Sequence, residues 1–150
     1  MSKCPFCMIA THELPSEIIH EDEHVVAFMD VNPIADGHVL VIPRRHAENL
    51  HAIDPEDLQR VVVTAKRIAA VVQSELRPDG INLFQANGRG AGQTVFHLHM
   101  HVLPRSIDDG MPMSWDHKPG DRARIAEVAG ILRGALARSE TGIDMAEPVA

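Results

Sequence analysis

Three histidines at alternate positions are the residues of this sequence best suited to chemistry. His97, His99 and His101 are separated by single apolar residues within the segment 92–105. Alternation with period two is typical of a β-strand, so we expect the imidazoles on one face and the intervening residues against a core. Pro104, which has no N–H, is predicted to end the strand. An imidazole row is costly to keep for packing alone, because each ring nitrogen needs a partner once it leaves water.

The spacing argues against one metal ion held by all three rings. A strand rises about 3.3 Å per residue, which places the Cα atoms of His97 and His101 about 13 Å apart. Zinc ligand atoms lie only about 2 Å from the metal. We therefore predict that the central His99 is the reactive group and that its neighbours do other work. A neutral imidazole is a competent nucleophile near pH 7, because its pKa lies close to that value.

Composition limits the kind of protein this is. The 150 residues are enough for one sizeable core, and the formal net charge of −7 argues against nucleic-acid or anionic-membrane binding. The sequence contains neither an apolar run near the ~20 residues that span a bilayer nor a secretory signal, so we expect a cytoplasmic protein. We predict a single domain over residues 1–138 and a loose carboxy-terminal tail over 139–150.

Helix and strand signals surround the histidine row. Asp54 and Pro55 indicate a helix start, and the apolar spacing that follows predicts one buried face until the helix ends before Pro78. The residues predicted on that face are Leu58, Val61, Val62, Ala65, Ile68, Ala69, Val72 and Leu76. Strands are predicted as two short pieces within 18–29, then at 39–42 and 81–85. A second helix is expected over about 120–138, after a loop containing Trp115.

The two cysteines, Cys4 and Cys7, form a Cys-x-x-Cys pair at the amino terminus. In a reducing compartment such a pair is either a redox couple or half of a zinc site. A redox couple usually opens a helix after a strand, and the sequence before Cys4 is too short for that strand. Zinc needs two more ligands, which a chain with ten histidines can supply. Unliganded thiols are the alternative.

Several segments together resemble the histidine-triad (HIT) family. Residues 97–103 read His-Leu-His-Met-His-Val-Leu, which is similar to that family's motif of histidines alternating with apolar residues. The Gly-Gln-Thr-Val at 92–95 resembles the usual lead-in, and the resemblance extends to 27–30 and 37–46. The fold this implies is α+β: an antiparallel sheet of about five strands with one long helix packed on it and a carboxy-terminal helix. The family typically forms a two-fold dimer, so the resemblance implies a homodimer.

The resemblance also implies a structural zinc site. Relatives with this cysteine pattern complete the site with a histidine after the Val-Ile-Pro strand and with the first triad histidine. Carried over to this sequence, the ligands are Cys4, Cys7, His46 and His97, with His51 as a possible substitute. Zinc bound there would tie the amino terminus to the histidine row.

By the same resemblance, the chain binds a purine nucleotide. Asp30 would hold the ribose hydroxyls, since an ionised carboxylate accepts from both. The base would lie between apolar walls formed by Phe6, Ile9, Phe28 and Val31, although ordinary core packing explains the first three equally well. Phosphate donors would come from the glycine-rich loop with Asn87, Gln93 and Thr94. Many relatives carry a substrate-facing Asn where this chain has Ala86, which leaves the role of Asn87 open.

The implied activity is hydrolysis at the α-phosphate of a purine nucleoside 5′-phosphoramidate. His99 would attack phosphorus to form a nucleotidyl-histidine, and His101 and His38 would bond phosphate oxygens and shuttle protons. His97 would complete the catalytic set. One alternative is hydrolysis of a dinucleoside polyphosphate, which Arg89 and Arg105 would favour by meeting extra phosphates. Another alternative is a nucleotide-binding adaptor whose hydrolytic activity is vestigial.

Overall fold

A five-stranded antiparallel sheet carries the histidine row. The structure, a computed structural model, describes residues 4–112 and 118–140. The strands are β1 (Ile18–Glu21), β2 (Val25–Met29), β3 (Val39–Pro43), β4 (Gly80–Phe84) and β5 (Met100–Arg105). Their order in the sheet is β1-β2-β3-β5-β4, and every pairing is antiparallel. β1 and β4 are therefore the two edges, and β5 lies inside the sheet.

Two helices cover opposite faces of this sheet. Helix α1 spans Pro5–Ala10, and helix α2 spans Pro55–Leu76. Alternate residues of β2 face different sides: Val25 and Ala27 lie in the core under α2, whereas Val26 and Phe28 lie in the core with α1. The side chains between the histidines, Leu98, Met100 and Val102, belong to the α2 side. The period-two interpretation of this segment is thus confirmed for its apolar half, and the α+β fold is confirmed as predicted.

Helix α2 begins as the sequence predicted. The Asp54 side chain accepts a hydrogen bond from the Glu56 N–H, and Pro55 occupies the first turn, where its missing N–H costs nothing. The predicted buried face was too wide, however: Val62 is 43% exposed, and Leu76, the last helical residue, is also exposed. The sheet covers one stripe of the helix, whose members are Val61, Ala65, Ile68 and Val72.

The strand containing the histidines differs from its prediction at both ends. β5 begins at Met100, and the preceding segment is fixed by a hydrogen bond from the Leu98 N–H to the Ala47 carbonyl. Pro104 does not end the strand, because it pairs with Ile81 and the ladder continues to Arg105. β3 pairs with β5 only as far as Val102. Beyond that residue β5 is hydrogen-bonded on one side, so a residue without an N–H is tolerated there.

The described residues up to Gly110 form one compact unit, and the described residues from Met111 belong to a second. The described part of the second unit contains α3 (Arg122–Glu140), which begins two residues later than predicted and extends two residues into the expected tail. Its apolar residues Ile125, Ile131, Leu132 and Leu136 are exposed. Trp115 and residues 141–150 lie outside the described part of the chain. None of the described helices combines the length and apolar character needed to cross a bilayer.

Candidate active site and metal centre

The His99 ring is held so that one nitrogen is left free to react. His99 is buried, and its Nδ1 lies 2.7 Å from the carbonyl oxygen of His97. A carbonyl can only accept, so Nδ1 must carry the hydrogen and donate it. The second nitrogen, Nε2, is then left with an unshared electron pair. Burial lowers the pKa of His99, which keeps the ring neutral near pH 7.

His38 and His101 form a second pair whose tautomers are also set by their partners. The Ile34 backbone N–H donates to His38 Nδ1 across 3.2 Å, so His38 carries its hydrogen on Nε2. That Nε2 lies 2.8 Å from His101 Nδ1 and donates to it. His101 must then carry its own hydrogen on Nε2, where it is available as a donor. Asp30 lies near this pair, with its Oδ2 3.7 Å from His38 Nε2.

Burial makes this histidine pair sensitive to acid. It lowers the pKa of His101 from the ordinary value of 6.5 to about 4 and lowers that of His38 as well, with Asp30 opposing both shifts. Between pH 6.5 and 4 the unfolded chain therefore takes up protons that the folded chain does not. The contribution of this pair to the free energy of unfolding is fully present above about pH 6.5 and is lost as the pH is lowered through this window.

We expect His101→Gln to flatten the fall in Tm between pH 7 and pH 4.5. For His101 alone the contribution lost has an upper limit of roughly 3 kcal/mol. Thermal unfolding of the wild type and the variant, measured in parallel across the range, tests this. The comparison cancels acid-sensitive contributions that the two proteins share, and equal slopes would contradict the assignment.

A second cluster lies next to the first and shares His97 with it. Potential ligand atoms of Cys4, Cys7, His46 and His97 all lie within 4.8 Å of one another. His97 Nδ1 is 3.5 Å from the Sγ atoms of both Cys4 and Cys7 and 3.3 Å from His46 Nδ1, and Cys7 Sγ lies 3.4 Å from His46 Nδ1. Around a tetrahedral zinc ion, two nitrogens lie about 3.3 Å apart and a nitrogen and a sulfur about 3.5 Å apart. The observed spacings therefore fit one tetrahedral ion.

The protonation states of His97 and Cys7 are consistent with a metal ion bound by this cluster. His97 Nε2 lies 2.8 Å from the Pro43 carbonyl and must donate to it, which leaves Nδ1 unprotonated and facing the other ligands. Burial, followed by the hydrogen bond and charge of Cys4, raises the pKa of the Cys7 thiol to about 11. A cation is needed to stabilise the thiolate at neutral pH. His51, the substitute ligand, is exposed and is not part of the cluster.

The residues predicted to bind the nucleoside are only partly brought together. Phe6, Ile9 and Phe28 are buried in one core cluster, and the Phe6 ring meets the His99 ring edge-on, with centroids 5.2 Å apart. Asp30 is half-buried and its Oδ1 accepts from the Asn32 N–H. Val31, in contrast, is 79% exposed and does not join the cluster.

The polar residues of the glycine-rich loop mostly bond within the protein. The Asn87 side chain accepts from the Leu50 N–H and donates to Gln85. Both amide hydrogens of the buried Gln93 are used, one on the Glu48 carbonyl and one on the Val95 carbonyl. Gln93 Oε1 accepts from the Gly88 N–H, at a residue whose φ of +80° suits glycine. Thr94 is exposed. In this structure Gln93 therefore shapes the loop and has no side-chain hydrogen left for a phosphate.

The sequence did not predict the backbone groups that determine the tautomers of His38, His97 and His99. The Ile34 N–H and the carbonyls of Pro43 and His97 each fix one imidazole. Side-chain types carry no signal for these groups, because every residue except proline offers both an N–H and a carbonyl. Only their position in the folded chain selects them.

Comparison with known proteins places the chain in a family. The HIT domain model matches residues 11–107. Over 129 residues, 82% of this chain and 89% of the relative, the sequence is 40% identical to protein hit of Bacillus subtilis. Over 142 residues, 91% of this chain and 93% of the relative, it is 31% identical to the adenosine 5′-monophosphoramidase HNT1 of Candida albicans.

Solved structures agree with this placement. A HIT family protein from Bacillus anthracis superposes with a TM-score of 0.82 at 33% identity, covering 89% of this chain and 97% of that one. A zinc-bound histidine triad family protein from Mycobacterium smegmatis gives a TM-score of 0.70 at 35% identity, covering 93% and 97%. The chain belongs to the HIT family, and the resemblance identified from the histidine row is confirmed.

Proposed function

We propose that this protein hydrolyses purine nucleoside 5′-phosphoramidates through a covalent nucleotidyl-histidine. The observation that carries the proposal is the tautomer of His99, whose Nδ1 hydrogen is bound to the His97 carbonyl and whose Nε2 is left nucleophilic. The relative from Candida albicans, which is named an adenosine 5′-monophosphoramidase, supports the choice of substrate.

In the first step, His99 Nε2 bonds to the α-phosphorus and the bond from phosphorus to the amine nitrogen breaks. The departing nitrogen needs a proton. The hydrogen-bonded pair of His38 and His101 takes up one proton from solvent when the anionic substrate binds, and His101 then donates its Nε2–H to the nitrogen and is left neutral. In the second step, water attacks phosphorus and gives a proton back to His101. The phosphorus–His99 bond then breaks, which releases the nucleoside monophosphate and restores His99.

Substrate binding is assigned to the residues around His99. Phe6, Ile9 and Phe28 supply an apolar wall, with Val31 as an outer contact. Asp30 is the acceptor for the ribose hydroxyls. The loop residues Asn87, Gln93 and Thr94 remain the predicted phosphate-binding group, with Gln93 acting through the loop it shapes.

We also propose that zinc binds Cys4, Cys7, His46 and His97. The near-tetrahedral spacing of their ligand atoms supports this, as does the zinc-bound relative from Mycobacterium smegmatis. The ion would supply structural cross-linking between the amino-terminal helix and the histidine segment. All chemistry on the substrate is left to the protein's own side chains.

The remaining expectations stay proposals. A homodimer is supported by the edge strand β4, which offers unpaired backbone groups. We also propose a cytoplasmic location and a single domain over residues 1–138.

The dinucleoside polyphosphate alternative has less support than the sequence suggested. Arg105 is buried, and its guanidinium bonds to both carboxylate oxygens of Asp109 and to Asn82 Oδ1. It is therefore committed within the protein and does not reach for extra phosphates. Arg89 remains, and it lies over the Phe96 ring with its guanidinium carbon 5.6 Å from the centroid.

We expect adenosine phosphoramidate to be hydrolysed with a higher kcat/KM than diadenosine tetraphosphate. A protonated amine leaves readily, and Arg105 is already bonded to Asp109 and Asn82. Release of AMP from each substrate by the purified protein measures the two values. A preference for the tetraphosphate would shift the assignment to a dinucleoside polyphosphate hydrolase. Nucleotide binding without release from either substrate would identify an adaptor.

A further inference from the structure

A phenylalanine from the edge strand stacks on the proposed proton donor. Phe84 is the last residue of β4 and pairs with His101 of β5. The two rings are nearly parallel, with an interplanar angle of 10° and centroids 4.2 Å apart. His38 also contacts His101, with ring centroids 5.1 Å apart. The His99 ring meets His101 edge-on, with centroids 4.9 Å apart, so the parallel face of Phe84 adds to this contact and to the hydrogen bond from His38.

The hydrogen bond alone does not define the plane of the His101 ring. It fixes the position of Nδ1, but the ring can still tilt about that contact, and the Nε2–H bond tilts with it. Proton transfer is sensitive to such changes, since the transferring group must stay within about 10–20° of its productive direction. A parallel aromatic face restricts this tilt. It also stabilises the positive charge that His101 carries whenever it holds a second proton.

Burial of apolar area within its own chain accounts for only part of Phe84. Its side chain is 39% exposed, and its neighbour Leu83 on the same strand is 46% exposed. Successive strand residues point to opposite faces, so Leu83 shares the strand edge with Phe84 but not its contact with His101. We propose that Phe84 is a positioning residue that sets the plane of the His101 ring for proton transfer to the leaving group. This inference rests on the proposed function, because it assigns His101 the donor role.

The test compares three variants: Phe84→Leu, which keeps an apolar side chain, Phe84→Tyr, which keeps the aromatic face, and Leu83→Ala as the control on the same edge. We expect Phe84→Leu to lower kcat for adenosine phosphoramidate roughly tenfold to hundredfold, with KM within about twofold. Phe84→Tyr should retain most of the wild-type kcat, and Leu83→Ala should match the wild type. Equal kcat in Phe84→Leu and the wild type, or an equal deficit in Phe84→Tyr, would overturn the inference.

NMR of the His101 ring separates this inference from the proposed function. In the wild type, the stacked phenyl group should shift the His101 ring protons upfield. The relaxation of these signals should be that of a rigid ring. Phe84→Leu should lose both features, whereas Phe84→Tyr and Leu83→Ala should keep them. Unchanged ring signals in Phe84→Leu would overturn the positioning role even if kcat fell. If the wild type fails to hydrolyse phosphoramidates, the proposed function fails while the ring signals still decide whether Phe84 orders His101.

The oligomeric state of each variant completes the test, because Phe84 lies on a sheet edge. Phe84→Leu should have the same mass in solution as the wild type. If Phe84→Leu and Leu83→Ala both changed in mass and in kcat, the kinetic effect would be assigned to subunit pairing along β4. That result would overturn the role of the phenyl ring.

Discussion

His99→Ala is expected to reduce hydrolysis of adenosine phosphoramidate by about three orders of magnitude or more, because the atom that bonds to phosphorus is removed. Nucleotide affinity should remain within about tenfold of the wild type, a change of about 1.4 kcal/mol. Binding depends on the other residues of the pocket, and the His99 carbonyl and N–H remain in place. Steady-state release of AMP and equilibrium titration with AMP measure the two quantities.

The covalent intermediate offers a direct check on the same residue. A rapid quench into alkaline denaturant should retain labelled nucleotide on the wild-type protein and none on His99→Ala. His51→Ala is the matched control, since His51 is an exposed histidine that belongs to neither histidine cluster. It should turn over substrate and retain label like the wild type. Turnover by His99→Ala at the wild-type rate would show that another group attacks phosphorus.

Removal of zinc is expected to lower both stability and activity. The purified protein should contain about one zinc per chain, and Cys7→Ser should lose it. Structural zinc contributes directly to folding free energy, so a decrease in Tm of roughly 10 °C is expected for a loss of a few kcal/mol. Metal analysis and thermal unfolding measure these effects without reference to catalysis.

The expected loss of activity follows from two contacts. His97 supplies its side chain to the cysteine–histidine cluster and its carbonyl to His99 Nδ1. Helix α1 contains Cys7 and also Phe6, whose ring contacts His99. Loss of the metal would therefore loosen both the acceptor and the wall of the reactive histidine.

His51→Ala serves as the control here as well, because it removes the substitute ligand. Its zinc content and Tm should equal those of the wild type. A wild-type protein that contains no zinc after purification in metal-replete buffer, with a Tm that a chelator does not change, would refute the metal assignment. If His51→Ala lost zinc and a His46→Ala variant kept it, His51 rather than His46 would be assigned as the zinc ligand.

Local patterns in the sequence predicted helix α2, most of the strands and the position of the histidine segment, but not helix α1. The period-two alternation at 97–103 placed the apolar side chains on one face of the sheet, because successive residues of an extended chain point in opposite directions. Asp54 and Pro55 located the start of α2 because capping depends on residues within one turn. The family followed from the same local patterns.

Contacts between distant segments were decided by the tertiary structure. The bond between His38 and His101 joins residues 63 positions apart, and the cysteine–histidine cluster joins Cys4 to His97. A resemblance to other proteins predicted the members of these groups, but the sequence alone carried no distances and no tautomers. The sequence also did not predict three other contacts: Pro104 pairs within a strand, Arg105 bonds to Asp109, and Phe84 stacks on His101.

The physical reason is the range over which each signal acts. Periodicity, capping and turn chemistry depend on neighbours in the chain, so they can be read from the order of residues. The protonated nitrogen of each imidazole depends on which acceptor or donor lies about 3 Å away, and that partner is often a backbone group whose residue type is irrelevant. The alternation predicted three histidines on one face, and the backbone groups that the folded chain brought to the imidazoles decided which nitrogen carries the hydrogen.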